Sequence, residues 1–378
     1  MTSFPSVVIS GSGLWTPPYS ITNEELVNVL NENADRFNHA NADAIERGEV
    51  APMAKSDAAF IEKASGIRER YVYEKDGILD INRMRPNIPA RAENEMSQQA
   101  EMAVAAARAA LDDANRNATD IDAVIVSCAY TQRAYPAIAI EVQEALGIEG
   151  FGFDMLVACS AATFALQRAY EMVRSGTARS VLVINPELVT PQLNYADRDS
   201  HFIFGDVATA MVVENEDQVA AKQYFRVLDT KAVTKYSNNI RSNFGHLSRA
   251  ADIDAFAPAN LFHQEGRKVF KEVCPMAAEH MSSQLAALDI DNQTVKRWWL
   301  HQANINMNIL IAKKLLGRTA TEEEAPIVLD RFGNTASAGS IIAFTLYHKD
   351  FANGDIGVIC SFGAGYSIGS LVIECVQG

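Results

Sequence analysis

The 378-residue chain is 48% hydrophobic and 21% charged, the balance of an ordinary globular protein long enough to bury a large core without disulfide staples. A formal net charge of −14 argues against nucleic-acid binding, which needs basic patches to neutralise phosphate. No run approaches about eighteen uninterrupted apolar residues and no basic segment leads into an apolar one at the start, so neither a membrane span nor a signal peptide is expected. The five cysteines (Cys128, Cys159, Cys274, Cys360 and Cys375) include no C-x-x-C pair, which points to a reducing, cytoplasmic compartment and to no metal site.

The first strand, Val7–Ser10, runs into Gly11-Ser12-Gly13, two glycines of a dinucleotide-binding fingerprint. Thr16 stands where the third glycine is needed and Pro17-Pro18 blocks helix entry, so that assignment fails. The polar, Asn/Ala/Glu-rich stretch 31–57 and the irregular stretch 76–91 read as surface insertions, either decoration or a cover over a substrate entrance. An Ala-rich helical run, Asn94–Asn115, then precedes a strand at Ala123–Ser127. Next come a helix from Cys159 to Ser175, a strand at Ser180–Asn185 and another at Gly205–Glu214.

The later part repeats this order. A helix over Pro275–Leu288 is followed by a strand ending at Leu300, a helix over Ser337–Lys349, and strands at Ile356–Ser361 and Gly369–Val376. Runs such as VLVI (181–184) and IGVIC (356–360) lack polar alternation, as strands covered on both faces do. The pattern predicts an α/β protein of two similar halves, 1–200 and 201–378, each with its own sheet and covering helices.

Four segments carry chemistry. Cys159 sits between an apolar run and a small-residue helix, where unpaired N–H groups and the helix dipole would favour a thiolate; a buried structural cysteine is the commoner case for such a residue alone. The apolar strand Trp298-Trp299-Leu300 delivers His301 at its C-terminal end, the usual ligand side of an open α/β sheet. Gly333-Asn334 precedes small residues that open a helix, which suits an amide donor but is also ordinary turn chemistry. Ser361-Phe362-Gly363-Ala364-Gly365-Tyr366 is a glycine-rich turn that lets a backbone N–H approach a ligand, or a plain hairpin.

Taken together these segments resemble the thiolase-like condensing enzymes, specifically the β-ketoacyl-acyl-carrier-protein synthase III family. The matching stretches are Ala158-Cys159-Ser160, His301-Gln302-Ala303-Asn304 and Gly333-Asn334-Thr335-Ala336. Gly66-Ile67-Arg68-Glu69-Arg70, Phe204-Gly205-Asp206 and Phe362-Gly363-Ala364-Gly365 follow the same family order, so the likeness runs from about Val7 to Glu374.

The resemblance implies a five-layer α-β-α-β-α thiolase-like fold, a homodimer, and a condensation that initiates fatty acid synthesis. It implies that Cys159 takes an acyl group from a coenzyme A thioester. Malonyl on acyl carrier protein then loses CO2 and attacks. His301 and Asn334 would stabilise the enolate, and the N–H groups of Cys159 and Ala364 would hold the first oxyanion. Coenzyme A enters as substrate; no cofactor is implied.

Expected substrate contacts are Phe60 in place of a family tryptophan, Arg198 across the adenine, and Phe204, with Phe270, Asn304 and Phe362 along the pantetheine channel. Asp199 and Ala64 depart from the family pattern there. Tyr135 stands where the family reaches into the neighbouring subunit's acyl pocket, and Ala162 replaces a bulkier aromatic. The smaller side chain implies a primer longer than acetyl. Arg267, Lys268 and Lys271 on one helix, and Lys313, Lys314 and Arg318 on another, are expected to dock the acidic carrier, although Asn306 replaces one family cation. A related condensing enzyme or acyltransferase with another donor or acceptor is the alternative. A cysteine hydrolase is more remote, because the C-G-S-C-W surroundings are missing.

Overall fold

The computed structural model describes residues 4–378. Nine strands form the main sheet: β1 (Val7–Trp15), β2 (Ala123–Cys128), β3 (Phe151–Leu156), β4 (Ser180–Glu187), β5 (Val207–Asn215), β6 (Gln223–Ser237), β7 (Val295–Leu300), β8 (Ile356–Gly363) and β9 (Gly365–Gln377). Their spatial order is β7-β8-β9-β6-β1-β5-β4-β2-β3. Read outward from the β6–β1 junction, the two sides are β1-β5-β4-β2-β3 and β6-β9-β8-β7, the same winding repeated. Only β3 lacks a partner strand in the second half. The halves do not keep separate sheets as expected. They join where β1 pairs antiparallel with β6, through Val8↔Arg226 and Ile9↔Phe225. The expected division at 200/201 also moves: β5 is hydrogen-bonded between β4 and β1, so the chain changes halves between Asn215 and Gln223.

α1 (Asn23–Ala40) packs outside the main sheet, and six helices cover it: α2 (Gln98–Ala114), α3 (Ile138–Leu146), α4 (Ala161–Ser175), α5 (Gly266–Ala287), α6 (Ile305–Leu316) and α7 (Gly339–Leu346). Strand alternation sorts the apolar side chains into layers. Val181, Val183, Trp299 and Ile359 face a central cluster with α4 and α7. Leu182 and Ile184 face α2 and α3, while Trp298, Leu300, Val358 and Cys360 face α5 and α6. The result is helix, half-sheet, helix, half-sheet, helix, the two half-sheets being joined at β1 and β6. It explains the unbroken apolar runs, since each inner strand is covered on both faces.

The Gly11-Ser12-Gly13 motif has a packing cause. A Cβ on Gly11 would come 2.5 Å from the Ala110 carbonyl, and one on Gly13 would come 2.2 Å from that of Ala106. These glycines let the Ala-rich face of α2 lie directly on β1. The helix expected from Pro275 begins earlier, at Gly266, with Pro275 inside it. Val269 and Val273, buried in the α5–α6 cluster, give the first turns an apolar stripe despite the proline.

The 31–57 stretch is ordered by two asparagines on α1. Asn31 exchanges hydrogen bonds with the Ser56 backbone at 2.9 and 3.0 Å, and Asn38 with that of Met53 at 2.8 and 3.0 Å. Asn38→Ala, which forfeits both bonds to Met53, is expected to destabilise this strap by about 1–2 kcal/mol, readable as faster amide hydrogen exchange at Met53.

Candidate active site

Cys159 lies in a 3-10 turn, Ala158–Ser160, between β3 and α4. Ala158 has φ +45°, a left-handed conformation that costs a non-glycine residue of order 1–3 kcal/mol. The turn holds the cysteine at the head of α4. The end of β8 passes directly against it: a Cβ on Gly363 would fall 2.5 Å from Cys159 Cβ and 3.0 Å from its Sγ. Burial pushes the Cys159 thiol up to about 12, helped by the negative charge of Glu187. The backbone N–H groups of Ala364 and Cys159 itself pull the other way. Loss of hydration thus opposes the thiolate that the helix N-terminus is expected to favour.

His301 follows β7, and its N–H donates to the Cys360 carbonyl at 2.8 Å. The ring is buried and meets Phe362 edge-on, centroids 5.2 Å apart. Burial lowers its pKa to about 4, against a smaller upward pull from the Ala336 backbone, so the imidazole is neutral at pH 7. Its Nδ1 has no partner among the described residues. Asn334 is fixed by its own backbone, which pairs with Ile203 and Gly205 at 2.8 and 3.1 Å. Its Oδ1 accepts the Ala336 N–H at 3.0 Å, which leaves Nδ2 as the free end of the amide.

Two cavities meet at Cys159. One, of about 220 Å³, is lined by Cys159, His301, Asn334, Phe270, Asn304 and Phe362. The other, of about 180 Å³, is lined by Cys159, Ala364, Tyr130, Phe204, Ile240 and Phe262. The structure thus gathers the three candidate reactive residues, the Ala364 backbone and four of the expected substrate contacts.

Other expected contacts fall differently. Phe60 and Arg198 are neighbours, but the guanidinium lies 4.0 Å above the ring and donates to the Lys55 carbonyl at 2.8 Å. The two residues expected on either side of the adenine thus face each other. The Lys55 contact also puts the 31–57 strap beside this pair. Ala162 is a correction: α4 turns it into the central cluster, and it lines neither cavity. Helical periodicity sends the third residue past the nucleophile to the core side. Tyr135 is 86% exposed and also lines neither cavity. Arg267, Lys271, Lys313 and Lys314 are exposed, whereas Lys268 is paired with Glu265 at 2.5 Å.

The sequence reading missed Glu187, the last residue of β4. It is fully buried and accepts from the N–H groups of Ala129 and Ser337 at 3.0 and 3.1 Å and from the Ser337 hydroxyl. It occupies the position on β4 that Gly363 occupies on β8, since both close eight-residue strands of the repeated winding. A carboxylate ending an apolar strand in Asn185-Pro186-Glu187 was the available signal. Burial raises its pKa to about 7, against those hydrogen bonds. Its contribution to stability is complete below the ordinary value of 4.5 and declines as pH rises through about 7.

Among the described residues no group of three or more His, Cys, Asp or Glu is placed to hold a metal ion. Among the same described residues no helix is long and apolar enough to cross a membrane.

Comparison with known proteins agrees with this geometry. Residues 153–234 match the family model described as 3-oxoacyl-[acyl-carrier-protein (ACP)] synthase III, and residues 285–375 match its C-terminal counterpart. A β-ketodecanoyl-[acyl-carrier-protein] synthase from Pseudomonas aeruginosa is 55% identical over 90% of this chain and 97% of the relative. A β-ketoacyl-[acyl-carrier-protein] synthase III from Bradyrhizobium diazoefficiens is 28% identical over 99% of this chain and all of the relative. Among solved structures, the priming β-ketosynthase of the R1128 polyketide biosynthetic pathway superposes with a TM-score of 0.77 at 22% identity, covering 99% of this chain and 97% of that one. The Aquifex aeolicus synthase III gives 0.73 at 22% identity, covering 97% and 99%; both likenesses speak to the thiolase-like fold. The chain belongs to the β-ketoacyl-acyl-carrier-protein synthase III family of thiolase-like condensing enzymes, acyltransferases that form carbon–carbon bonds by decarboxylative Claisen condensation.

Proposed function

We propose that the protein condenses a medium-chain acyl-coenzyme A with malonyl-acyl carrier protein through an acyl group held on Cys159. The observation that carries this reading is the place of Cys159 as the shared wall of two cavities, one bearing His301 and Asn334, the other largely apolar. The Cys159 thiol attacks the thioester carbonyl and its proton leaves with the coenzyme A thiol. The N–H groups of Cys159 and Ala364 hold the tetrahedral oxyanion between them. Malonyl then enters the His301 side and loses CO2, and the electron pair released becomes the enolate. His301 and the Asn334 amide, two neutral donors, stabilise its oxygen. The enolate carbon attacks the acyl carbonyl, the bond to Sγ breaks, and the thiolate regains a proton.

A cavity of about 150 Å³ holds one six-carbon benzene ring, so the 180 Å³ space beside Ala364 fits an alkyl tail of roughly seven carbons, that of an eight-carbon acyl group. The Pseudomonas aeruginosa β-ketodecanoyl synthase supports the same length, because a ketodecanoyl product is a roughly eight-carbon primer lengthened by one malonyl unit.

A homodimer completes the reading. β3 is an edge strand that exposes Phe151, Phe153 and Leu156, and Tyr135 projects nearby in chain order, a surface suited to a second copy. The free cysteines fit a cytoplasmic setting.

Intact-protein mass spectrometry with acetyl- to dodecanoyl-CoA, followed by malonyl carrier and CO2 detection, tests the reaction. An adduct on the Cys159 peptide that peaks near octanoyl and is discharged with CO2 release is expected. A peak at acetyl would sink the medium-chain assignment. The double reversal Lys271→Glu with Lys314→Glu should raise KM for the malonyl carrier, most strongly at low ionic strength. A KM that matches wild type at both high and low salt would remove these lysines from the docking surface.

A further inference from the structure

A second apolar chamber, of about 430 Å³, lies behind the cavity beside Ala364. Tyr130, Gln192 and Ser242 belong to the walls of both spaces. Two surface segments build its outer walls, Ile88, Pro89 and Ala90 on one side and Phe256 and Leu261 on the other. The Arg85 guanidinium sits 3.8 Å above the Phe256 ring and clasps the segments together. The irregular 76–91 stretch therefore walls a space that adjoins the acyl side of the site.

The partition between the spaces is a single layer of side chains. Tyr130 Oη donates to Ser242 Oγ and stands 3.4 Å from the Phe244 carbonyl. Ser242 Oγ in turn donates to the Asn260 carbonyl at 3.2 Å. Gln192 Nε2 is buried with no hydrogen-bond partner among the described residues, so turning that side chain aside breaks no bond. Two neutral hydroxyls and one unpaired amide are a weak barrier set between two apolar spaces.

We propose that the Tyr130–Ser242 pair is a gate that sets primer length, and that the second chamber receives the far end of longer acyl chains. This rests on the reading that the acyl group on Cys159 extends into the cavity beside Ala364. An acyl group of about eight carbons fills that cavity with the gate shut. A longer chain must part the two hydroxyls, and each methylene then laid against Ile88, Pro89 and Leu261 leaves water for an apolar wall. The closed gate thus discriminates against long chains without forbidding them. The geometry makes Tyr130 and Ser242 the residues on which chain-length preference turns.

The test compares rates of Cys159 acylation by octanoyl- and dodecanoyl-CoA, read by intact mass, in the full-length enzyme and two variants. Tyr130→Phe keeps the ring and removes the hydroxyl; the dodecanoyl-to-octanoyl ratio should rise about fivefold to tenfold, the weight of one hydrogen bond. Ala90→Trp fills the chamber from an exposed loop position and disturbs no packed core; the same ratio should fall about tenfold, the weight of roughly two buried methylenes. Ratios equal to wild type in both variants would overturn the gate. A wild-type enzyme that forms no octanoyl adduct on Cys159 would instead overturn the parent reading, because the gate test begins from that adduct.

Discussion

Asn334→Asp should leave acylation of Cys159 near the wild-type rate while slowing condensation by about 10²–10³, the usual cost of losing one oxyanion donor. The substitution keeps the Oδ1 acceptor that receives the Ala336 N–H, so the turn retains its fold. Only the free end changes, from an N–H donor to an oxygen. Above the new carboxyl's pKa, negative charge would face the enolate in a water-poor cavity, where repulsion is strong. Burial raises that pKa, so on acidification the group gains a proton and becomes a donor again. The defect should therefore shrink between pH 8 and pH 5. His301 does not confuse the result, because its pKa of about 4 keeps it neutral across that window. Pre-steady-state acylation and CO2 release measured at both pH values separate the two steps. Equal losses in both half-reactions would take Asn334 out of the enolate site.

Gly363→Ala should strike the other half-reaction. The added methyl would stand 2.5 Å from Cys159 Cβ, and both atoms belong to backbone that is already committed. β8 is hydrogen-bonded along its length to β9, while Cys159 follows a residue held at φ +45°. Neither side can yield cheaply, and overpacking of this kind costs about 1–3 kcal/mol of stability. The larger consequence is catalytic. Ala364, the next residue, supplies one of the two N–H groups aimed at Sγ, and a displacement near 1 Å at a reacting centre costs about 10²-fold in rate. Acylation by octanoyl-CoA should fall by that order together with a lower Tm. Once acylated, the variant should still condense, since His301 is tied to β8 at Cys360, three residues before the change, and Asn334 is held by the Ile203 and Gly205 backbone. Wild-type acylation in Gly363→Ala would mean that the β8 end does not position the sulfur.

Much of this protein was legible before any coordinates. Apolar runs of uniform character announced strands covered on both faces, and the order of helices and strands on either side of β6 announced the repeat. Cys159, His301 and Asn334 could be named because each sits at the end of an element, where local sequence is distinctive. Their convergence came from tertiary structure, since the three lie on separate segments that only the paired halves bring to one cavity.

The failures share one physical cause. Ala162 was assigned by position along the chain, but the direction of a side chain depends on helical phase. The ionisation of Cys159 was judged from its place at a helix end, whereas burial acts against it. Glu187 carries no motif, because its role is set by Ala129 and Ser337, distant in sequence and adjacent in space. The amino-acid sequence by itself determined the architecture, the family and the identity of the reactive groups, all of which follow from local pattern. The tertiary structure alone decided where the halves join, which protonation states are favoured and how much room the acyl chain has, because desolvation and cavity volume belong to the packed molecule and not to any one segment.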